Sequence, residues 1–562
     1  MGFFGFYFFS IFLEIDFLWP TEEKGILSSF GEWREDHLHA GIDLPIKKIG
    51  EKILSVCDGW VWRVKTSPWG YGKAVYVKSW TGETFVYAHL FSFPKKIEEI
   101  VRKEQLRKLS YSTDIWFKEG EILVKRGDVI GYGGNSGCLS PHLHFEMRDK
   151  FQKPMDPLIR GFTISDSIPP VITGLRIIPL GGSSRVNGSP IGELYNSIYD
   201  TIKVFIEGKA GIEIEVFDKV NGKSGRVGPK EIRLYKGERL IRRELIDKFP
   251  YSNYKDSRFL FDFAYEKRTG RKFRKVFSCP GNELPFFEGE DGIIKGEEKG
   301  VYLIEVYDAA YNFTSLIIKL IDSLPERKTL TLGKELLFEP YGFLCRGKWF
   351  NPNKFGGILK SGDSILVWNL KKIKMNKLRS IEGKCEISIP ADANLFTDLI
   401  AVKSHKNGDI WEWEPPLPFK KKIKIRIKTQ EEKSSIYEKK GKSWIFISSK
   451  RDRDNLIGFI DHLGCFGILR DTTKPLLSLK SEKFSSQVPL IIEVDDNLSG
   501  VNFHSIKTFI DGKQTVFAYE PQRKRLIFEY PEEIKKGKHI LKISLTDNQG
   551  NKTIKEWVII KE

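Results

Sequence analysis

Along this chain hydrophobic and polar positions alternate more often than they recur with a helical period. In "KKKIKIRIKT", Lys420 to Thr429, Ile423, Ile425 and Ile427 alternate with Lys422, Lys424, Arg426 and Lys428. That spacing predicts a strand with one apolar and one basic face. "KAVYVKSW", "TFVYAHLF", "IKVFIEG", "IEIEVFD" and "LIFEYPEE" are short, rich in β-branched and aromatic residues, and bounded by Gly, Pro, Asn or Asp. Helical spacing is sustained only from Pro94 to Leu109, through Ile97, Ile100, Val101 and Leu106. The chain is therefore expected to be mostly β. "SPHLHFEMRD", Ser140 to Asp149, also alternates. As a strand it turns His142, His144 and Glu146 one way and Leu143, Phe145 and Met147 into a core.

A chain of 562 residues is too long for one core, and three to five domains are expected. An internal repeat supports the division. "DSIPPVI" from Asp166 matches "DTTKPLL" from Asp471, and "IEIEVFDKVNGKSG" from Ile212 matches "LIIEVDDNLSG" from Leu490. "EIRLYKGERL" from Glu231 parallels "SIKTFIDGKQT" from Ser505. Each copy closes on a strand and an Asp-x-x-x-Asn turn, ending at Asn312 and Asn551. A period of this length is no solenoid. It suggests two related β-sandwiches, the first with a long insertion, flanking a further β-rich region. Both resemble immunoglobulin-like modules of bacterial envelope proteins.

Charge and cysteines narrow the class only a little. Lys and Arg number 91 against 74 acidic residues, a balance of +17. That favours an anionic partner or simple solubility. The outward lysines of 420–429 fit a solvated strand face, or a patch for an anionic polymer. No zinc finger, arginine-rich helix or aromatic-basic RNA motif supports a nucleic-acid partner. The six cysteines are far apart, without a CxxC pattern, and read as isolated thiols. An apolar run from Phe3 to Leu13 has signal-peptide length and is too short to span a bilayer. It lacks a basic start and a small-residue cleavage site, and no later segment reads as transmembrane.

Candidate chemistry concentrates early. Five of the nine histidines lie between His37 and His144. "DHLHAGIDL" sets His39 four residues before Asp43, with Gly41 between them disfavouring a helix. In "TFVYAHLF", Phe85, Tyr87 and His89 are expected on one strand face. The glycines of "RGDVIGYGGNSG" are expected to make tight turns before the last histidines.

Taken in order, "FGEWREDHLHAGIDL", "GETFVYAHL", "KRGDVIGYGGNSG" and "PHLHFEMRD" closely resemble the lysostaphin-type, LytM-like zinc metallopeptidases, endopeptidases of bacterial peptidoglycan. The match covers about 140 residues of the chain. The resemblance implies one Zn2+ held by His39, Asp43 and His144, with His89 and His142 as the catalytic histidines. It leaves open which of these two takes the proton. His37 and Glu146 are expected to have structural roles or to support the ligands, not to be ligands. Two features depart from the family: Ser140 stands where a Gly usually precedes the Pro, and the segment after "YAHL" is long enough to restrict the groove.

The resulting expectation is a LytM-like β-sheet peptidase domain followed by two or three immunoglobulin-like sandwiches. Its divisions are a candidate signal segment at 1–18, a peptidase domain at 19–162 with a helical insertion at about 92–125, and a sandwich at 166–323. A β-rich domain at 324–470 and a second sandwich at 471–562 follow. The implied function is zinc-dependent hydrolysis of peptidoglycan cross-links or stem peptides by an exported protein of the periplasm or envelope. Peptidoglycan is the expected partner, with anionic envelope polymers as a further candidate. The alternative is a non-hydrolytic peptidoglycan-binding scaffold or a regulator of wall hydrolases.

Overall fold

The computed structural model describes residues 18–562, apart from 35–36, 197, 199–200, 223–224, 280–281, 325–336, 340–341, 346–347, 351–356, 362, 370–376, 391–396, 398 and 406–407. The apolar run of the candidate signal segment lies outside the described residues. The fold is mostly β, as the alternating pattern predicts. Among the described residues no helix is long and apolar enough to cross a membrane. The five cysteines whose side chains are described are free thiols.

An eight-stranded antiparallel sheet organises the first region. Leu143–Arg148 lies within it, with Thr84–Ala88 along one edge and Ile42–Leu44 and Pro154–Met155 along the other. Ala74–Ser79 and Gly59–Thr66 extend it beyond Thr84–Ala88. One face carries Val61, Val75, Val77, Phe85, Tyr87, Leu143, Phe145 and Met147 into a core. The other face carries a smaller cluster, Ala74, Tyr76, Val86 and Ala88, in which Ala88 and Val86 are in register with His144 and Glu146. Gly41 permits the strand Ile42–Leu44 to approach closely: a Cβ there would stand 2.3 Å from the Phe145 carbonyl oxygen.

The core under this sheet does not stop at residue 162. Val220, Val227, Ile246, Phe249, Leu260, Phe261, Leu284 and Phe286 belong to the same apolar cluster as Trp19, Phe30 and Phe145. Several come from the stretch between the strands Arg239–Leu245 and Val301–Tyr307, the long insertion of the first repeat.

The repeat is visible as topology. In the first copy Thr201–Val204 pairs in parallel with Phe313–Leu320, and in the second Lys483–Phe484 pairs in parallel with Lys552–Lys561. Two sheets enclose each core, built on Leu175, Ile212, Leu234 and Ile304 in one and Leu477, Ile492, Leu541 and Ile559 in the other. Between them a seven-stranded and a five-stranded sheet cover Trp411, Trp413 and the inward Ile423, Ile425 and Ile427.

The predicted helix spans Lys95–Lys108. Its Arg102 is buried against the last sandwich, paired with Glu533 through Nε at 2.7 Å and Nη2 at 2.5 Å. Tyr530 donates to Glu98 at 2.8 Å, and Tyr111 packs with Val516 and Ala518. An ion pair from the buried Lys73 to the partly exposed Glu529, at 3.0 Å, joins the same two regions.

Candidate metal and hydrolytic site

Strand register assembles the first half of the site. Asp43 and His144 are direct partners across the antiparallel pair Ile42–Leu44 and Leu143–Arg148, so their side chains leave the sheet on the same face. His39 arrives from the preceding turn. His39 Nε2 and His144 Nδ1 each stand 3.0 Å from Asp43 Oδ1 and 2.9 Å from each other. All three residues are buried.

The outer atoms of these residues are tied elsewhere. The Ser29 carbonyl oxygen, 2.8 Å from His39 Nδ1, can only accept, so Nδ1 carries the proton and Nε2 keeps its lone pair for the cluster. Glu146 Oε1, 3.0 Å from His144 Nε2, likewise orients that ring so that Nδ1 faces Asp43. Arg34 donates to the other oxygen of Asp43 at 2.7 Å. Burial works against the charge on Asp43, but His39 and His144 hold its carboxyl well below the usual carboxylate range. Burial also opposes charge on His144, yet Asp43 and Glu146 push it up to about 9. The two imidazole nitrogens and the carboxylate oxygen share at most the one proton that His144 Nδ1 carries, since His39 Nε2 and Asp43 Oδ1 bring none. One cation satisfies all three, and the N,N,O donor set fits a hydrolase zinc site with an open position.

Glu146 is the hub behind this group. It is fully buried, and it accepts from Arg148 Nε at 2.6 Å, from Tyr251 at 2.9 Å and from the Tyr71 hydroxyl. Burial alone would raise its pKa; Arg148, then His144 and Tyr71, bring it down to about 2. His37 lies apart, paired with Arg34 in a two-stranded ribbon, outside the group whose ligand atoms converge.

His89 and His142 form the second half. Their rings are 4.7 Å apart, and His89 is 5.8 Å from the ring of His144. Each uses Nδ1 on a carbonyl oxygen at 2.8 Å, Ser136 for His89 and Ser140 for His142. Both Nδ1 atoms are therefore donors, and both Nε2 atoms are proton acceptors. Burial, reinforced by His144 and His142, pulls His89 down to about 3, and burial also lowers His142. His142 Nε2 is 3.6 Å from Asp43 Oδ1.

The expected strand face shared by Phe85, Tyr87 and His89 is not what forms. The strand ends at Ala88, and His89 takes φ 59°, a left-handed conformation uncommon for a non-glycine residue. That turn moves His89 off the face where Phe85 and Tyr87 enter the core. His142 likewise precedes its strand and is fixed by a bridge to Gly134.

Four contributions go beyond the residues assigned from the sequence. Tyr251 reaches Glu146 from the insertion of the first repeat. Ser136 holds His89 through its carbonyl and, through its hydroxyl, binds the Leu90 carbonyl. Cys138 converges on His89 and His142, and burial pushes its thiol up to about 12. The last sandwich grips the same loop: Gln522 donates to the Gly137 and Pro68 carbonyls at 3.1 and 3.3 Å, and Arg523 to those of Leu139 and Asn135 at 2.8 and 3.4 Å.

No family model matches the chain. Over 127 residues, 22% of its length, it is 32% identical to the DD-carboxypeptidase/endopeptidase Mpg of Neisseria meningitidis serogroup B (strain ATCC BAA-335 / MC58). It is 31% identical over the same length to the protein of that name from Neisseria gonorrhoeae (strain ATCC 700825 / FA 1090). The chain spans 23% of the length of each of these curated relatives. Among solved structures, a zinc containing peptidase from Vibrio cholerae is 26% identical, with 27% of this chain and 41% of that one covered at a TM-score of 0.20. The catalytic domain of lysostaphin from Staphylococcus simulans is 21% identical, with 25% and 90% covered at 0.18. In its histidine motifs the chain resembles the lysostaphin-type, LytM-like peptidases.

Proposed function

We propose that the chain is a zinc-dependent endopeptidase that hydrolyses peptide bonds in bacterial peptidoglycan, in cross-links or stem peptides. The observation that carries this reading is the orientation of three donor atoms. His39 Nε2, Asp43 Oδ1 and His144 Nδ1 meet within 3.0 Å, while the opposite nitrogens of the two rings face Ser29 and Glu146. These three residues would hold Zn2+. When bound, it supplies Lewis acidity, which polarises a carbonyl and brings the pKa of water to about 7.

The chain's own residues do the rest. His89 and His142 present neutral imidazoles whose Nε2 atoms can accept a proton from water and return one to the leaving amine. The carbonyls of Ser136 and Ser140 fix each tautomer, so the acceptor nitrogen is the one free to act. Glu146 and Arg34 hold His144 and Asp43 in place.

In this reading residues 19–162 are the peptidase unit, 166–323 and 471–562 are immunoglobulin-like sandwiches, and 324–470 is a further β domain. The protein acts outside the cytoplasm, where peptidoglycan lies. Incubation of the full chain with intact sacculi, followed by mass spectrometry of the soluble products, tests the reaction. New peptide termini that disappear on zinc removal support it. Retention on sacculi without cleavage would favour the scaffold alternative.

A further inference from the structure

Two groups of three aspartates occupy the same place in the two repeated sandwiches, outside the histidine site. In the first copy Asp166 lies ahead of the strand Val171–Pro179, Asp218 directly follows Lys209–Phe217, and Asp308 directly follows Val301–Tyr307. In the second Asp471 follows Cys465–Arg470, Asp496 follows the first aspartate of "EVDD" in Leu490–Asp495, and Asp547 follows Gly537–Thr546. Within each group one carboxylate oxygen per residue lies within 4.8 Å of the other two. In each copy two of the three directly follow strands of opposite sheets, and the third sits on the segment leading in.

The surrounding hydrogen bonds repeat as well. Asp308 Oδ1 accepts from the N–H groups of Ala310 and Asn312, and Asp547 Oδ1 from those of Gln549 and Asn551, all at 2.8 Å. The Asn312 amide bridges Asp308 and the Asp166 carbonyl; the Asn551 amide bridges Asp547 and the Asp471 carbonyl. These bonds fix the carboxylates but bring no positive charge. Among the described residues no basic side chain forms an ion pair with any of the six.

A separate observation points to what is missing. Asp218 is 3% exposed, and its Oδ1 is buried with no hydrogen-bond partner. The equivalent oxygen in the other copy, Asp496 Oδ1, is also buried and without a partner. A buried carboxylate oxygen left without a donor destabilises the fold. The same unpaired oxygen at both equivalent positions is what a bound cation would satisfy. Burial, with Asp308 and Asp166 beside it, pushes Asp218 up to about 7, as expected of a carboxylate that lacks its counter-ion.

We propose that each aspartate triad binds one hard divalent cation, Ca2+, which ties the leading segment to both sheets of its sandwich. An all-oxygen donor set excludes a preference for zinc. Ca2+ takes oxygens at about 2.3–2.6 Å, so two ligands of one ion lie up to about 5 Å apart, which matches the observed convergence. Carbonyls and water complete the usual six to eight ligands. The ion fixes the direction in which each sandwich leaves the preceding region, and in the second copy that sandwich is the one docked on the loop of Ser136.

Equilibrium dialysis of the chelator-treated full chain against Ca2+ tests the proposal. Two Ca2+ per chain are expected, one after Asp218→Asn, one after Asp496→Asn, none in the double variant, and two after His144→Ala. The melting temperature should rise by about 5 °C with saturating Ca2+ and not respond in the double variant. In the absence of Ca2+ the double variant should melt no lower than the unaltered chain, because it loses only buried repulsion. No Ca2+ bound at about 1 mM, or binding that survives both substitutions, would overturn the proposal.

Discussion

Asp43 and His144 face each other across neighbouring antiparallel strands, and Asp43 Oδ1 meets His144 Nδ1 at 3.0 Å. Residues in direct register on one sheet face hold that separation without help from a loop. Two of the three converging residues, Asp43 and His144, are thus held by strand register, whereas His39, His89 and His142 stand outside the strands.

In the metal-free protein His144 is pushed up to about 9, so at pH 7.5 it carries a proton on the nitrogen that faces Asp43. Zinc must displace that proton, and its apparent affinity should fall as pH falls below that value. Calorimetric titrations in buffers of different ionisation enthalpy should show close to one proton released per zinc at pH 7.5. A proton count near zero would contradict the assignment of His144 Nδ1 as a ligand atom.

Glu146→Gln removes the carboxylate that orients His144 and leaves the buried Arg148 without its counter-ion. Zinc affinity should drop roughly 10- to 100-fold, as for loss of an orienting partner behind a ligand. Urea unfolding should show a loss of roughly 3 kcal/mol, the cost of an uncompensated buried charge. Chelator competition and unfolding on the same sample separate the two effects.

Arg523 and Gln522 hold the carbonyls on either side of Ser136, whose own carbonyl fixes His89. The double substitution Gln522→Ala, Arg523→Ala should lower kcat roughly tenfold by loosening that loop, with zinc content and KM nearly unchanged. An unchanged kcat would show that the loop keeps its shape without the last sandwich.

The Asp218 carboxyl, raised to about 7 by burial and by Asp308 and Asp166, sets a pH signature. Between about pH 4 and 7 the folded state holds this proton and the unfolded state does not, so stability without Ca2+ falls as pH rises through that window. Below the window the contribution is fully present. Thermal melts in the absence of Ca2+ should show the decline, and Asp218→Asn should flatten it.

What could be read from the sequence was what local spacing encodes. Leu143, Phe145 and Met147 enter the core as their alternation requires, Ile423, Ile425 and Ile427 do the same, and the helix falls at Lys95–Lys108. The spacing of His39, Asp43, His142 and His144 brings all four to one place. Alternation failed at His89 because a left-handed residue ends the strand there. Tyr251, Gln522 and Arg523 were invisible because they stand more than 100 residues from the motifs, Tyr251 in the insertion that joins the same core and Gln522 and Arg523 in the last sandwich, where no period links them to the site. The matching aspartates were visible as a repeat, but their convergence depends on two sheets closing over one core.

In the proposed function His39, Asp43 and His144 hold the metal while His142 serves the reaction. Zinc content and sacculus cleavage, measured on the same preparations of the unaltered chain, His142→Ala and His144→Ala, test it most directly. One zinc with cleavage is expected in the first, one zinc without cleavage in the second, and neither in the third. Full cleavage by His142→Ala, or zinc retained by His144→Ala at the unaltered affinity, would contradict it.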